Sequence, residues 1–357
     1  MSHVYQIRNL HRLFCALAIL LALCLSSATA WAQGPIVAEG EGISPEVRGV
    51  YERGLEYLAT SQEANGSWES QQPGPGIAGL CLMAFLAHGD DPNGGRYAVP
   101  IRRAVKHLLE TQDRNTGFFG NSMYHHGFSM LALAEAYGAV DESLLWDDGA
   151  KGQSTQTIGK ALELAVRCAV TAQKKNSAGG WRYSPDAIDA DTSVSGAVLM
   201  GLLAVRNAGI EVPDECIDKA LKYYQACTSG EGSVAYANEM GGFGSSMNRS
   251  AIATLVYSVG KHKDWKEYEA TLEYIVSKKD DEYQEGYPCY FRYYMAQALF
   301  QGNPESWQQW RKANAVHIAE LQTSDGSIPD NFGPACGTAL YLLSLALEYR
   351  FLPIYER

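Results

Sequence analysis

Two kinds of apolar pattern alternate along most of the chain. In the first, apolar residues recur every three or four positions with charges between them. Ala104, Leu108 and Leu109 beside Glu110 are an example, and the spacing predicts a helix buried along one side. The second kind, as in GIAGLCLMAFLAHG, is rich in Gly, Ala and Ser and apolar nearly all round. That pattern predicts a helix buried on most sides, its small residues allowing close packing. A Gly-rich turn joins each pair. Six such pairs align, over 54–89, 104–138, 161–209, 216–260, 271–302 and 316–349. Self-similarity of this period marks a repeat architecture. Amphipathic outer helices wrapped around apolar inner ones predict an all-α ring, an α/α toroid (α6/α6 barrel) of six helical hairpins.

The turns share a second pattern. LATSQEANGSWES sets Gln62, Gly66 and Trp68 at the end of the first outer helix, and Gln322, Gly326 and Ile328 keep the same frame. Gln173 leads to Gly180-Trp181 through a two-residue insertion, and the fifth repeat has no Gln here. A Gln amide at a helix end can satisfy free carbonyls. Gly66, Gly117, Gly180, Gly232 and Gly326 are expected to let the chain reverse. Trp68, Phe118 and Trp181 are expected to pin each turn against a neighbouring repeat. The pattern reads as a staple between repeats, not as a catalytic box.

These repeats resemble the QW motif of the terpenoid cyclase and protein prenyltransferase superfamily, and the resemblance runs over residues 50–357. It is similar above all to exported single-toroid proteins with squalene-cyclase-like repeats. The resemblance implies the same toroid, and it points less specifically to a reaction, because one fold hosts many functions.

Residues 1–32 form a separate unit. Arg8 and Arg12 precede the apolar run FCALAILLALCL, and Ala30-Trp31-Ala32 fits a signal-peptidase site with cleavage before Gln33. The protein is therefore expected in the periplasm or cell envelope, or secreted, with 33–49 as a linker. A formal charge of -11 argues against a nucleic-acid partner, which would require a basic face. Cleavage leaves six cysteines, and five of them sit in or beside apolar helical patterns, where a free thiol behaves as a small core residue. Cys216 and Cys227 are the one local pair for a disulfide, but eleven residues along one helix hold them far apart.

Candidate chemistry gathers where the inner helices start, since those starts should share one end of the ring and surround a cavity mouth. Asp189-Ala190-Asp191-Thr192 precedes the third inner helix. It resembles the Asp-x-Asp-Asp of class II terpenoid cyclases, whose middle aspartic acid protonates an alkene or epoxide. By position that acid is Asp191, with Asp189 as the neighbour that keeps it protonated. Thr192 stands where the family has a third acid, and Asp191 before Thr-Ser-Val is equally a good helix N-cap. His125, Arg249, Tyr290, Arg292 and Tyr294 are the candidate ligand-binding residues around the same mouth. His125 and His126 are adjacent, so their side chains diverge by about 100° on a helix and do not chelate together. Prenyltransferases hold zinc through Asp, Cys and His, but no Asp-x-Cys pair lies in the inner-helix region here, and neither a metal nor a cofactor is expected. Gly-Cys-Gly-Glu-Gln, a Walker loop, Gly-x-Ser-x-Gly and His-Glu-x-x-His are all absent from the chain. Two functions remain. One is a cyclase-like toroid whose cavity takes a hydrophobic ligand such as an isoprenoid. The other is a non-catalytic scaffold that uses the same mouth for a peptide, glycan or partner protein.

Overall fold

The computed structural model describes residues 43–146, 156–237, 246–281, 286–349 and 352–355. The signal peptide expected over 1–32 lies outside them. Among the described residues twelve α-helices follow one another. The outer set is α1 (Pro45–Thr60), α3 (Ala98–Thr111), α5 (Ile158–Gln173), α7 (Asp214–Cys227), α9 (Lys266–Lys278) and α11 (Pro304–Leu321). The inner set is α2 (Pro75–Leu86), α4 (Met123–Ala136), α6 (Thr192–Asn207), α8 (Met247–Val259), α10 (Pro288–Gly302) and α12 (Pro334–Leu345). Helix α1 begins at Pro45 because Ser44 caps it through the Val47 N–H, so the first outer helix takes in residues assigned above to a linker.

Each inner helix packs on the inner helix of the next repeat, and α12 returns to α2, so the inner ring closes. In the outer layer α11 lies against α1, so the last repeat also meets the first there. Burial follows the two sequence patterns. All twelve residues of α2 are buried, whereas α3 buries Ile101, Ala104, Val105, Leu108 and Leu109 and turns Arg103 and Glu110 outward. Gly127 lets α4 approach the Ala197 backbone of α6, where a Cβ would come within 2.5 Å.

The turn motif acts through hydrogen bonds. The Gln62 amide donates to Gly66 O in its own turn and to Pro100 O at the start of the next outer helix. Gln112 does the same with Gly117 and Ala161, and Gln173 with Gly179 and Cys216. Gln322 donates to Gly326 O and to Val50 O at 2.9 Å, stitching the last repeat to the first. The Gln is thus an inter-repeat staple, but its acceptors are the turn glycine and the following helix, not the free carbonyls of its own helix end.

Two positions shift from the sequence alignment. In the third repeat the left-handed residue is Gly179 (φ 91°), so the frame is Gly179-x-Trp181 and matches Gly66-x-Trp68. In the second, Phe119 is the fully buried ring and Phe118 only half-buried. The tryptophans also hold their own hairpins. Trp68 Nε1 donates to Leu58 O and Trp181 Nε1 to Ala169 O, each 2.8 Å away in the preceding outer helix. Each of the six described cysteines is a free, buried thiol, Cys216 and Cys227 included.

Candidate functional site

The inner helices start together because their caps do. Ser122 caps α4, Asp191 caps α6 and Ser246 caps α8 through side-chain oxygens, while Pro75, Pro288 and Pro334 open the other three. All six starts border one cavity of about 720 Å³. Its floor is Ile77 in the first turn of α2 and Leu80, Phe128 and Leu340 in the second turns of α2, α4 and α12. Its rim is aromatic, with Tyr183, Tyr236, Tyr287, Tyr290 and Phe332. Tyr287 stacks on Phe332 at 5.8 Å, and Tyr124 meets Tyr290 edge-on at 6.2 Å.

Of the expected site residues, His125, Arg249 and Tyr290 line this cavity. His125 leans on the start of α2, and its burial lowers its pKa, so the ring is neutral near pH 7. Arg249 donates through Nε to Val234 O at 3.0 Å, and its guanidinium lies 6.0 Å from the Tyr236 ring centre. Tyr290 donates to Ser193 O at 3.4 Å. Tyr294 is buried one turn deeper, its ring 4.8 Å from that of Tyr290. Arg292 is on the other side of α10, where it donates to Asn314 Oδ1 of α11 at 2.8 Å, and it does not border the cavity.

Asp191 is fully buried. One carboxylate oxygen accepts the Val194 N–H at 2.8 Å as the N-cap, and the other accepts from the Tyr236 hydroxyl at 3.3 Å. Arg182 Nε stands 3.7 Å from that second oxygen. Burial raises the Asp191 pKa to about 6, against the pull of the Val194 amide, Arg182 and Tyr236. Asp189 is exposed and pairs with the same arginine at 2.7 Å, so Arg182 bridges the two carboxylates. Tyr236 lies between Asp191 and the cavity, and its hydroxyl is 3.0 Å from that of Tyr183.

His126 faces the opposite way from His125. Its Nδ1 accepts the Phe119 N–H, and its Nε2 lies 3.1 Å from Ala165 O, which fixes the tautomer with the proton on Nε2. Ser195 and Thr338 accept the Trp181 and Ile328 N–H groups in the same way, so His126 is one of a set of ties between turn and inner helix. Among the described residues no group of three or more His, Cys, Asp or Glu is placed to hold a metal ion.

Helix starts alone do not give the aromatic rim. Tyr183 and Tyr236 come from the extended turns, each two residues past the buried anchor of its repeat, Trp181 or Val234. Asn121 has the same place after Phe119 and also lines the cavity. In each of these turns the second residue past the buried anchor reaches the cavity mouth. That spacing was the available signal.

No protein-family model matches the chain, and no curated protein does. Solved structures do. An inactive variant of the α-1,6-mannanase GH76A of Salegentibacter sp. HEL1_6 superposes with a TM-score of 0.58 at 13% identity, over 85% of this chain and 99% of that one. The family 76 glycoside hydrolase Bt3792 of Bacteroides thetaiotaomicron gives 0.58 at 12% identity, over 84% and 98%. The type II terpene cyclase MstE of Scytonema gives 0.58 at 14% identity, over 86% and 99%. These likenesses establish the fold alone, an α/α toroid that a terpene cyclase and glycoside hydrolases both have.

Proposed function

We propose that this protein is exported and binds a hydrophobic small molecule of isoprenoid type in the cavity at the inner-helix starts. The observation that carries the proposal is the cavity floor, where Ile77, Leu80, Phe128 and Leu340 present a continuous apolar surface beneath an aromatic rim. Apolar lining with a few convergent polar groups is the usual composition of a small-molecule site. MstE, of the same fold, has been seen with geranylgeranyl dihydroxybenzoate. The polar side, formed by Arg249, His125 and Asn248, would orient the ligand's head. The function is binding. Any acid step would run from Asp191 through Tyr236, with Asp189 holding Arg182 in place.

The half-exposed rings of Tyr183 and Tyr287 at the mouth favour a second ligand class, since sugars stack on such faces, and mannanases share the fold. Native mass spectrometry of the mature protein titrated with farnesol, geranylgeraniol and mannotriose separates the two. An adduct with the isoprenoid alcohols that Phe128→Ala weakens about tenfold, from roughly 1–2 kcal/mol of lost apolar contact, supports the proposal. Binding of mannotriose alone moves the site to glycans, and no adduct with any of the three refutes a small-molecule cavity.

A further inference from the structure

The far end of the ring, where the inner helices finish, is closed by a short segment. The single turn Pro353–Tyr355 lies against α6, and Leu352 and Ile354 are buried to 2% and 3% exposure. Two cavities of about 500 and 490 Å³ flank it, and Pro353 and Asn207 line both, so the segment divides one space in two. Beneath it lies Glu135 of α4, only 7% exposed. Its carboxylate accepts the Ile354 backbone N–H, while Oε2 is buried with no hydrogen-bond partner. No function assigned above uses this acid.

A buried carboxyl with one oxygen unsatisfied is stable chiefly as the neutral acid. Its environment supplies little to hold the charge. Tyr293 of α10 lies near enough to feel the Glu135 charge. Asp90 and Tyr137 line the cavity on one side, and Asp90 is itself paired with His88 at 3.2 Å. Lys261, Lys263 and Asp264 line the other, with Lys263 donating to Gln301 O. The segment above is held weakly, because burial of two aliphatic side chains is nearly offset by the ordering of the four residues that carry them. A charge appearing under it can therefore decide its position.

We propose that residues 352–355 form a proton-operated strap, closed over the far end of the ring while Glu135 is protonated and released when Glu135 ionises. Release joins the two flanking cavities into one vestibule floored by Glu135. Burial pushes the Glu135 pKa from 4.5 to about 8 in the closed form. With the strap open the carboxyl meets water and its pKa returns towards the ordinary value. The closed form is then fully favoured below about pH 4.5, and it loses up to tenfold per pH unit as pH rises towards about 8.

Hydrogen exchange of the full chain, corrected for intrinsic rates, tests this at about pH 4 and about pH 7. In the wild type, protection of the Ile354 and Tyr355 amides should fall about tenfold between the two, to little or none, while α4 and α6 amides hold. Glu135→Gln should keep the strap protected at both pH values. Leu352→Ser should expose it at both. Unchanged protection in the wild type, the same fall in Glu135→Gln, or simultaneous loss in α4 and α6 would each overturn the strap.

Discussion

Replacing Asp191 by Asn removes a charge from the best-buried acid near the site while leaving its cap in place. Asn serves as an N-cap about as well as Asp, so the Val194 N–H keeps its acceptor. What changes is titration. Folding raises the carboxyl from 3.8 to about 6, which is the net of burial against Val194, Arg182 and Tyr236. A raised carboxyl pKa means that the folded chain holds this proton more tightly than the unfolded chain. The stability this confers is complete below the unfolded pKa and is lost as pH climbs through about 6. At about 1.4 kcal/mol per unit, ionisation in place costs roughly 3 kcal/mol above that pH. Asp191→Asn should therefore be more stable than wild type by up to about 3 kcal/mol near pH 7.5, with the gain vanishing near pH 4. Urea unfolding at both pH values measures it. Arg182 retains Asp189 in the variant. A variant less stable than wild type near pH 7.5 would show that the Arg182 attraction outweighs burial, and an equal shift at both pH values would show that the carboxyl does not titrate as placed.

The ring closure gives a second set of expectations. Gly326 has φ 89°, and a Cβ there would come within 2.3 Å of Arg53 O, so Gly326→Ala should cost at least about 3 kcal/mol in urea unfolding. Gln322→Ala leaves Val50 O and Gly326 O without their amide donor and should cost about 1–3 kcal/mol, with faster hydrogen exchange in α1 and α11 before the other helices. Trp181→Phe keeps a buried ring but loses the bond to Ala169 O, for about 1 kcal/mol. Ellman's reagent should find none of the six described thiols in the native protein and all six in guanidinium, whereas a disulfide would lower the second number.

The fold was legible because both layers announce themselves. α2 is apolar on every side and α3 on one, and a ring with the first kind inside and the second outside buries both patterns six times over. The staple glutamines were visible as a repeat, but the second acceptor of each is thirty-eight or more residues away in the next outer helix, which spacing cannot reveal. In the third repeat two adjacent glycines hid which one turns left-handed, and only Gly179 does. At the site, helix-start logic found His125, Arg249 and Tyr290. It also gathered Arg292, which depends on the rotation of α10 and ends against Asn314. Asp191 and Asp189 are two residues apart in sequence, yet one is buried and the other exposed, because the cap turns the first inward and Arg182 draws the second outward. Tyr183 and Tyr236 were missed because they ride on turns, where helical periodicity has nothing to say.

Photo-crosslinking with a diazirine-bearing isoprenoid alcohol, followed by peptide mapping, addresses the cavity itself. Labels should fall on α2, α4 and α12 around Leu80, Phe128 and Leu340, and unlabelled geranylgeraniol should suppress them. Labels confined to outer helices, or unaffected by the competitor, would contradict a hydrophobic ligand site at the inner-helix starts.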